Sequence, residues 1–174
     1  MENIKNEEKS PVKRAKAIKI EIKRIVEEDP DLSFLETTAE IHYGENGSNW
    51  EHVPEEDKRK VIDNYGSIWN ACIAYARRDK KRLEDYRRGV WDMIGIKAVA
   101  TIHIPIEDNS SKIQTIDSGG LWGVESDSED VYIKEIEKEQ IGEIKKYLRV
   151  LCVENIDGCE MPPEINWHRP SVEI

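Results

Sequence analysis

From residue 93 to residue 105 the side chains alternate. Ile94, Ile96, Ala98, Ala100, Ile102 and Ile104 fall on one side of an extended chain, and Gly95, Lys97, Val99, Thr101 and His103 on the other. A period of two predicts a strand buried on one face. Such a strand needs partners along its edges and an apolar layer over its buried face. After a polar turn at 105–111, residues 112–118 supply an antiparallel second strand, and 121–125 a short third.

The covering layer must come from helices. Ile133, Ile136, Gln140, Ile144, Tyr147, Leu148 and Leu151 repeat with helical spacing, and Ser126-Asp-Ser-Glu129 before them has the form of a capping box. Ser10-Pro11 followed by Ile18, Ile22, Ile25 and Val26 at i, i+4, i+7 and i+8 predicts a first helix, stopped by Asp29-Pro-Asp31. Pro54-Glu-Glu-Asp57 opens a second helix that Asn64-Tyr-Gly66 closes. Ser67 caps a third, whose inner side runs through Ile68, Trp69, Cys72, Tyr75, Ala76, Leu83 and Tyr86 to Gly89. Residues 31–52 show no clean period. The fold expected is α+β: about four helices packed on a small two- or three-stranded antiparallel sheet, with a long C-terminal helix. Residues 1–9 read as a disordered leader and 10–153 as a single domain. Residues 154–174, with Pro162, Pro163, Trp167 and Pro170, read as an extended tail, loose or strapped to the body.

A length of 174 residues suits one domain. The 36% share of charged residues exceeds the usual ~25% and implies a modest core under a heavily charged surface. Five Trp and six Tyr stand against one Phe, an aromatic set suited to half-buried and interface positions. Cys72, Cys152 and Cys159 have no framework spacing and read as packed free thiols in a reducing compartment. The polar start and the lack of a long apolar run point to a cytoplasmic protein with no membrane partner.

Charge is unevenly placed. Residues 1–90 hold 18 basic and 19 acidic side chains, net −1, while 91–174 hold 8 and 17, net −9. Residues 104–143 hold 3 basic and 11 acidic, net −8, and 77–88 hold 7 and 3, net +4. The overall sign argues against direct nucleic-acid binding. The acidic block can serve solubility, meet a basic protein surface, or imitate the phosphates of DNA. The basic run, with Arg77, Arg78 and Arg82, reads either as a solvated helix face or as a docking patch for a phosphate, a nucleotide or the acidic half of a second copy.

Gly119, Gly120 and Gly123 could cradle phosphate on backbone N–H groups, but no Lys follows and the spacing is not that of a dinucleotide fingerprint. Glu125, Asp127 and Glu129 alternate like a cation loop, yet Asp130 and Ile136 occupy the places where an EF-hand needs Gly and an acid, so no metal is assigned. His42, His52, His103 and His168 are scattered, and no nucleophile motif accompanies them. The reading leans away from catalysis and implies no cofactor. The binding candidates are Gly119, Gly120, Leu121, Trp122, Glu125, Asp127, Arg77, Arg78 and Arg82.

Tyr65-Gly66, Tyr75, Asp79, Arg82-Leu83, Trp91, Gly95 and above all Ser118-Gly-Gly-Leu-Trp-Gly-Val-Glu-Ser-Asp-Ser128 resemble a set of phage and mobile-element proteins without assigned activity. The resemblance implies a setting: small acidic phage proteins act against host defence by binding a protein or sequestering a nucleotide. The function expected is a non-enzymatic binding protein acting through an acidic surface, as an inhibitor of a nucleic-acid-targeting defence enzyme. A nucleotide-binding module and a metal-dependent hydrolase are the alternatives, and a homo-oligomer stays open.

Overall fold

The computed structural model describes residues 14–106 and 110–159. In chain order they form β1 (Lys16–Val26), a 3-10 turn (Ser33–Leu35), α1 (Ala39–Tyr43), a 3-10 stretch (Glu45–Trp50), α2 (Glu55–Tyr65), α3 (Ile68–Arg87), β2 (Met93–Pro105), β3 (Ser111–Asp117), β4 (Leu121–Glu125) and α4 (Asp130–Val150). This is an α+β fold with four helices, a four-stranded antiparallel sheet and a long C-terminal helix. The described chain groups into two compact units, one within 1–25, 95–124 and 128–174, the other within 26–94 and 125–127.

The first unit is built around β2, which pairs with β1 on one side and with both β3 and β4 on the other. Thr101 faces Thr115 and Ile102 faces Gln114 in the antiparallel β2–β3 register. Ile96, Ala98, Ala100 and Ile102 are buried, as their period requires. The second face is not simply solvated: Gly95 and Val99 are buried too, with Lys97, Thr101 and His103 half-covered. α4 contributes Ile133, Ile136, Gln140, Ile144 and Leu148 to the interior. Each fully buried aliphatic side chain stabilises the fold by about 1.5–3 kcal/mol. Tyr147 and Leu151, expected on the inner stripe, are 42% and 56% exposed.

The helix expected over residues 10–29 is instead strand β1; the proposed cap at Ser10-Pro11 lies outside the described residues. Lys19, Glu21 and Lys23 alternate with Ile18, Ile20 and Ile22, so the i, i+4 spacing of Ile18 and Ile22 is also two steps of a strand. β-branched residues lose little in a strand and more in a helix, which favours the strand, and pairing with β2 fixes it. Residues 154–159 are strapped to the start of β1: Ala17 N–H donates to the Glu154 carbonyl at 2.8 Å, Asn155 Nδ2 to the Ala17 carbonyl at 3.2 Å, and Ile156 and Cys159 are buried. The expected leader at 1–9 and the prolines and Trp167 of the tail lie outside the described residues. Cys72 is buried in α3, whereas Cys152 is exposed.

The second unit is helical. α2 begins after Pro54 with three acids in its first turn and ends at Gly66. The Ser67 side chain accepts from Asn70 N–H and caps α3, as its sequence predicts. Residues 31–52, without a clean period, fold into α1 and the two 3-10 pieces, and α1 packs on α3. Leu35, Leu83, Trp91 and Met93 form a buried cluster with Leu32 and Tyr86 against it.

Candidate functional site

Arg82 sits on α3 with its guanidinium over the ring of Trp91, 4.0 Å from the centroid, while Trp91 Nε1 donates to the Arg82 carbonyl at 3.0 Å. The guanidinium fork reaches both acids of the 118–128 motif that were singled out. Nη1 donates to Asp127 Oδ2 at 2.6 Å, Nη2 to Glu125 Oε2 at 2.8 Å, and Nη2 also to Asp127 Oδ1. The Asp127 carboxylate, reinforced by Glu125, raises the pKa of Arg82 against the opposing effect of burial. Glu125 and Asp127 therefore hold a cation that belongs to this chain. The segment between them is fixed by backbone as well: Ser126 N–H donates to the Asp92 carbonyl at 2.8 Å, and Ser126 Oγ accepts from Asp92 N–H at 2.8 Å.

This overturns the capping box. α4 starts at Asp130 with Glu129 as its N-cap, and no side chain bonds the cap. Ser126 lies four residues before the first residue of α4, and its hydroxyl accepts from Asp92 N–H.

The glycine-rich end of the motif lies between two strands, not before a helix. β3 and β4 run along the same edge of β2, and residues 118–120 form the break between them. Ser118 keeps the ladder closed: its N–H donates to the Ala98 carbonyl, and its hydroxyl accepts from Ala98 N–H at 3.1 Å and donates to Gln140 Oε1 at 2.6 Å. Gly119 and Gly120 then turn at φ 83° and 89°, a region that costs little only for glycine. A Cβ on Gly120 would meet the Ile96 carbonyl at 3.1 Å. Trp122 covers Gly95 so closely that any side chain at 95 would collide with the indole, and its Nε1 donates to the Gly119 carbonyl at 3.2 Å. An aromatic laid over a strand glycine across a broken edge is a packing device. Leu121 and Trp122 still leave 39% and 47% of their surface exposed. Beside them Lys97 Nζ bonds Asp117 at 2.9 Å and lowers the Asp117 pKa, helped by Gly119 N–H.

Arg77 and Arg78 stay on the exposed side of α3. Arg78 lies over the Tyr75 ring at 5.4 Å and 3.8 Å from Asp79, and Lys81 and Arg88 both reach Asp85. Among the described residues Arg77, Lys80 and Arg87 make no ion pair. Of the nine candidates the structure thus joins Arg82 to Glu125 and Asp127. Gly119, Gly120, Leu121 and Trp122 belong to the other compact unit.

Two clusters escape sequence reasoning. The Asp79 carboxylate takes hydrogen bonds from the Thr37 hydroxyl at 2.8 Å and from His42 Nε2 at 2.9 Å. Thr37 Oγ1 and His42 Nε2 also lie 3.0 Å apart, and the trio ties residues 37–42 to α3. The second is the outer row of α4, where Glu135, Glu139 and Glu143 recur at every fourth residue. That spacing was legible, but only a structure separates carboxylates that are spent from those that are not. Glu137 is spent: Arg24 on β1 donates to its Oε1 through Nη2 at 2.7 Å and Nε at 3.0 Å. Glu129, Asp130, Glu135 and Glu139 make no ion pair among the described residues, and Glu143 accepts the Tyr147 hydroxyl.

Among the described residues no three His, Cys, Asp or Glu side chains are placed to share a metal ion, and no helix is long and apolar enough to cross a membrane. The chain matches no protein-family model, no curated protein and no solved structure.

Proposed function

We propose that the protein is a non-enzymatic binding protein of a phage or mobile element, one that engages a basic surface through the outer row of α4 and so blocks a nucleic-acid-targeting defence enzyme of the host. The observation that supports this is the row itself. Glu135, Glu139 and Glu143 stand about 6 Å apart along the helix, given a rise of 1.5 Å per residue. Like charges at i, i+4 weaken a helix by about 0.2–0.5 kcal/mol per pair. Solubility needs no such arrangement, because mixed charges serve it without the repulsion. Three like charges in succession do concentrate a negative potential that steers a basic partner. Tyr132, 49% exposed and one turn earlier, extends the row with a side-chain type favoured at interfaces.

The test is phage plating on a host that carries a restriction or CRISPR system. Wild-type protein is expected to restore plating, and E135K/E139K/E143K, with an unchanged melting curve, to lose that effect. No restoration by wild type, or equal restoration by the triple variant, would remove the proposal.

A further inference from the structure

Two exposed helix faces of this chain carry opposite charge patterns at the same spacing. On α3 the sequence of signs at i, i+4 and i+7 is plus, plus, minus: Arg77, Lys81 and Glu84. On α4 it is minus, minus, plus: Glu139, Glu143 and Lys146. Arg77, Lys81, Glu84, Glu139 and Lys146 are exposed, and Glu143 is half-exposed. The spacings place the second and third members about 6 Å and 10.5 Å along each helix from the first. Laid side by side and parallel, the two rows bring Arg77 against Glu139, Lys81 against Glu143 and Glu84 against Lys146. Laid antiparallel, Arg77 meets Lys146 and Glu84 meets Glu139, so the charges select one direction.

The α4 row also has room for a neighbour. Gly142 lies on its flank, and among the described residues nothing stands within 4 Å of where a Cβ would be. A glycine inside an exposed helix turn lowers helix stability relative to alanine, and one return for that cost is close approach of another backbone. An open concavity of about 600 Å³ borders Glu139, Gln140, Gly142, Glu143, Lys146 and Tyr147. Existing bonds in the rows are local and exposed, Lys81 to Asp85 and Tyr147 to Glu143, and are exchanged at little cost.

We infer that the occupant of the α4 row is a second copy of this chain, which presents its α3 row so that Arg77, Lys81 and Glu84 pair with Glu139, Glu143 and Lys146. The inference rests on the reading of the α4 row as a binding surface and adds its regulation. Self-association covers part of the acidic row, and a more strongly basic partner displaces the second copy.

Sedimentation velocity of the full chain tests it, at low salt and again near 1 M salt, where the screening length falls to about 3 Å. Wild type is expected to self-associate at low salt and to dissociate at high salt. R77E/K81E and E139K/E143K are each expected to weaken association at least about tenfold, the ratio that corresponds to the loss of one or two good charge pairs. Mixed one to one, the two variants regain complementary rows and are expected to associate with each other. G142Q, which fills the open flank without changing charge, is expected to weaken association while leaving the fold intact. A wild type that stays monomeric, association indifferent to salt, or variants that fail to associate on mixing would overturn the inference. R77E/K81E leaves Glu135, Glu139 and Glu143 in place, so it retains phage protection if the functional proposal holds. A protein that protects phage but never self-associates refutes this inference alone.

Discussion

The carboxylates of this chain divide into two populations. Glu125, Asp127 and Glu137 sit within 3 Å of a guanidinium supplied by the same chain. Glu135 and Glu139 are exposed on α4, away from its buried stripe, and make no ion pair among the described residues. Residue type and local charge density are alike in the two sets. What differs is the element that faces them, α3 and β1 in the first case and solvent in the second. Net charge is therefore a poor guide to an acidic binding surface, and the informative quantity is the charge left after internal pairing.

The comparison breaks first at Arg82. Replacing it with Ala leaves Glu125 and Asp127 side by side without their cation and strips the guanidinium from Trp91. A loss of about 2–3 kcal/mol is expected, seen as a melting temperature lower by roughly 5–10 °C. Adding E125Q/D127N to R82A should recover part of it, because the repulsion goes with the charges. No recovery would mean that the indole contact, not the ion pairs, carries the effect.

Trp122 comes next. W122A is expected to cost about 1–2 kcal/mol through lost cover of the β2 backbone. Gly95→Ala should destabilise the wild type, since the new Cβ meets the indole, yet be neutral or favourable on the W122A background. A double-mutant cycle by chemical denaturation checks this coupling.

How much of this was readable beforehand depends on whether the physics was local. β2, α2 and α3 were legible because a strict period of two, a proline start and a serine cap act within a few residues. β1 was misread because Ile18, Ile22, Ile25 and Val26 satisfy a helical stripe while the intervening Lys and Glu satisfy a strand. Only pairing with β2 settles which pattern governs. The capping box failed for a related reason, since Ser126 pairs with Asp92, 34 residues away, and α4 begins only at Asp130. The Arg82 clamp spans 43 and 45 residues and depends on β4 returning beside the start of β2. No charge count within a window could have shown it. The glycine cluster was seen, but its reason, an indole against Gly95, needs the register of two strands.

A smaller effect lies in pH. Lys97, with Gly119 N–H, lowers the Asp117 pKa. A carboxylate with a lowered folded pKa adds stability that is complete above its unfolded value and is lost as pH falls through the folded one. The wild type should thus shed stability below about pH 4, and D117N should flatten that part of a melting-temperature profile. An unchanged acid limb in D117N would show that the pair does not contribute. Smallest of all is the stability change at the outer row. Glu139→Lys relieves two like-charge neighbours and should raise stability by no more than a few tenths of a kcal/mol.

The most direct measurement sets the two populations against each other in one phage-plating assay on a restriction- or CRISPR-bearing host, with a melting curve for each protein. E125Q/D127N is expected to melt earlier and, at a temperature where it is folded, to protect phage as the wild type does. E135K/E139K/E143K is expected to melt like the wild type and to protect nothing. Protection that survives in the triple variant and disappears in folded E125Q/D127N would contradict the account.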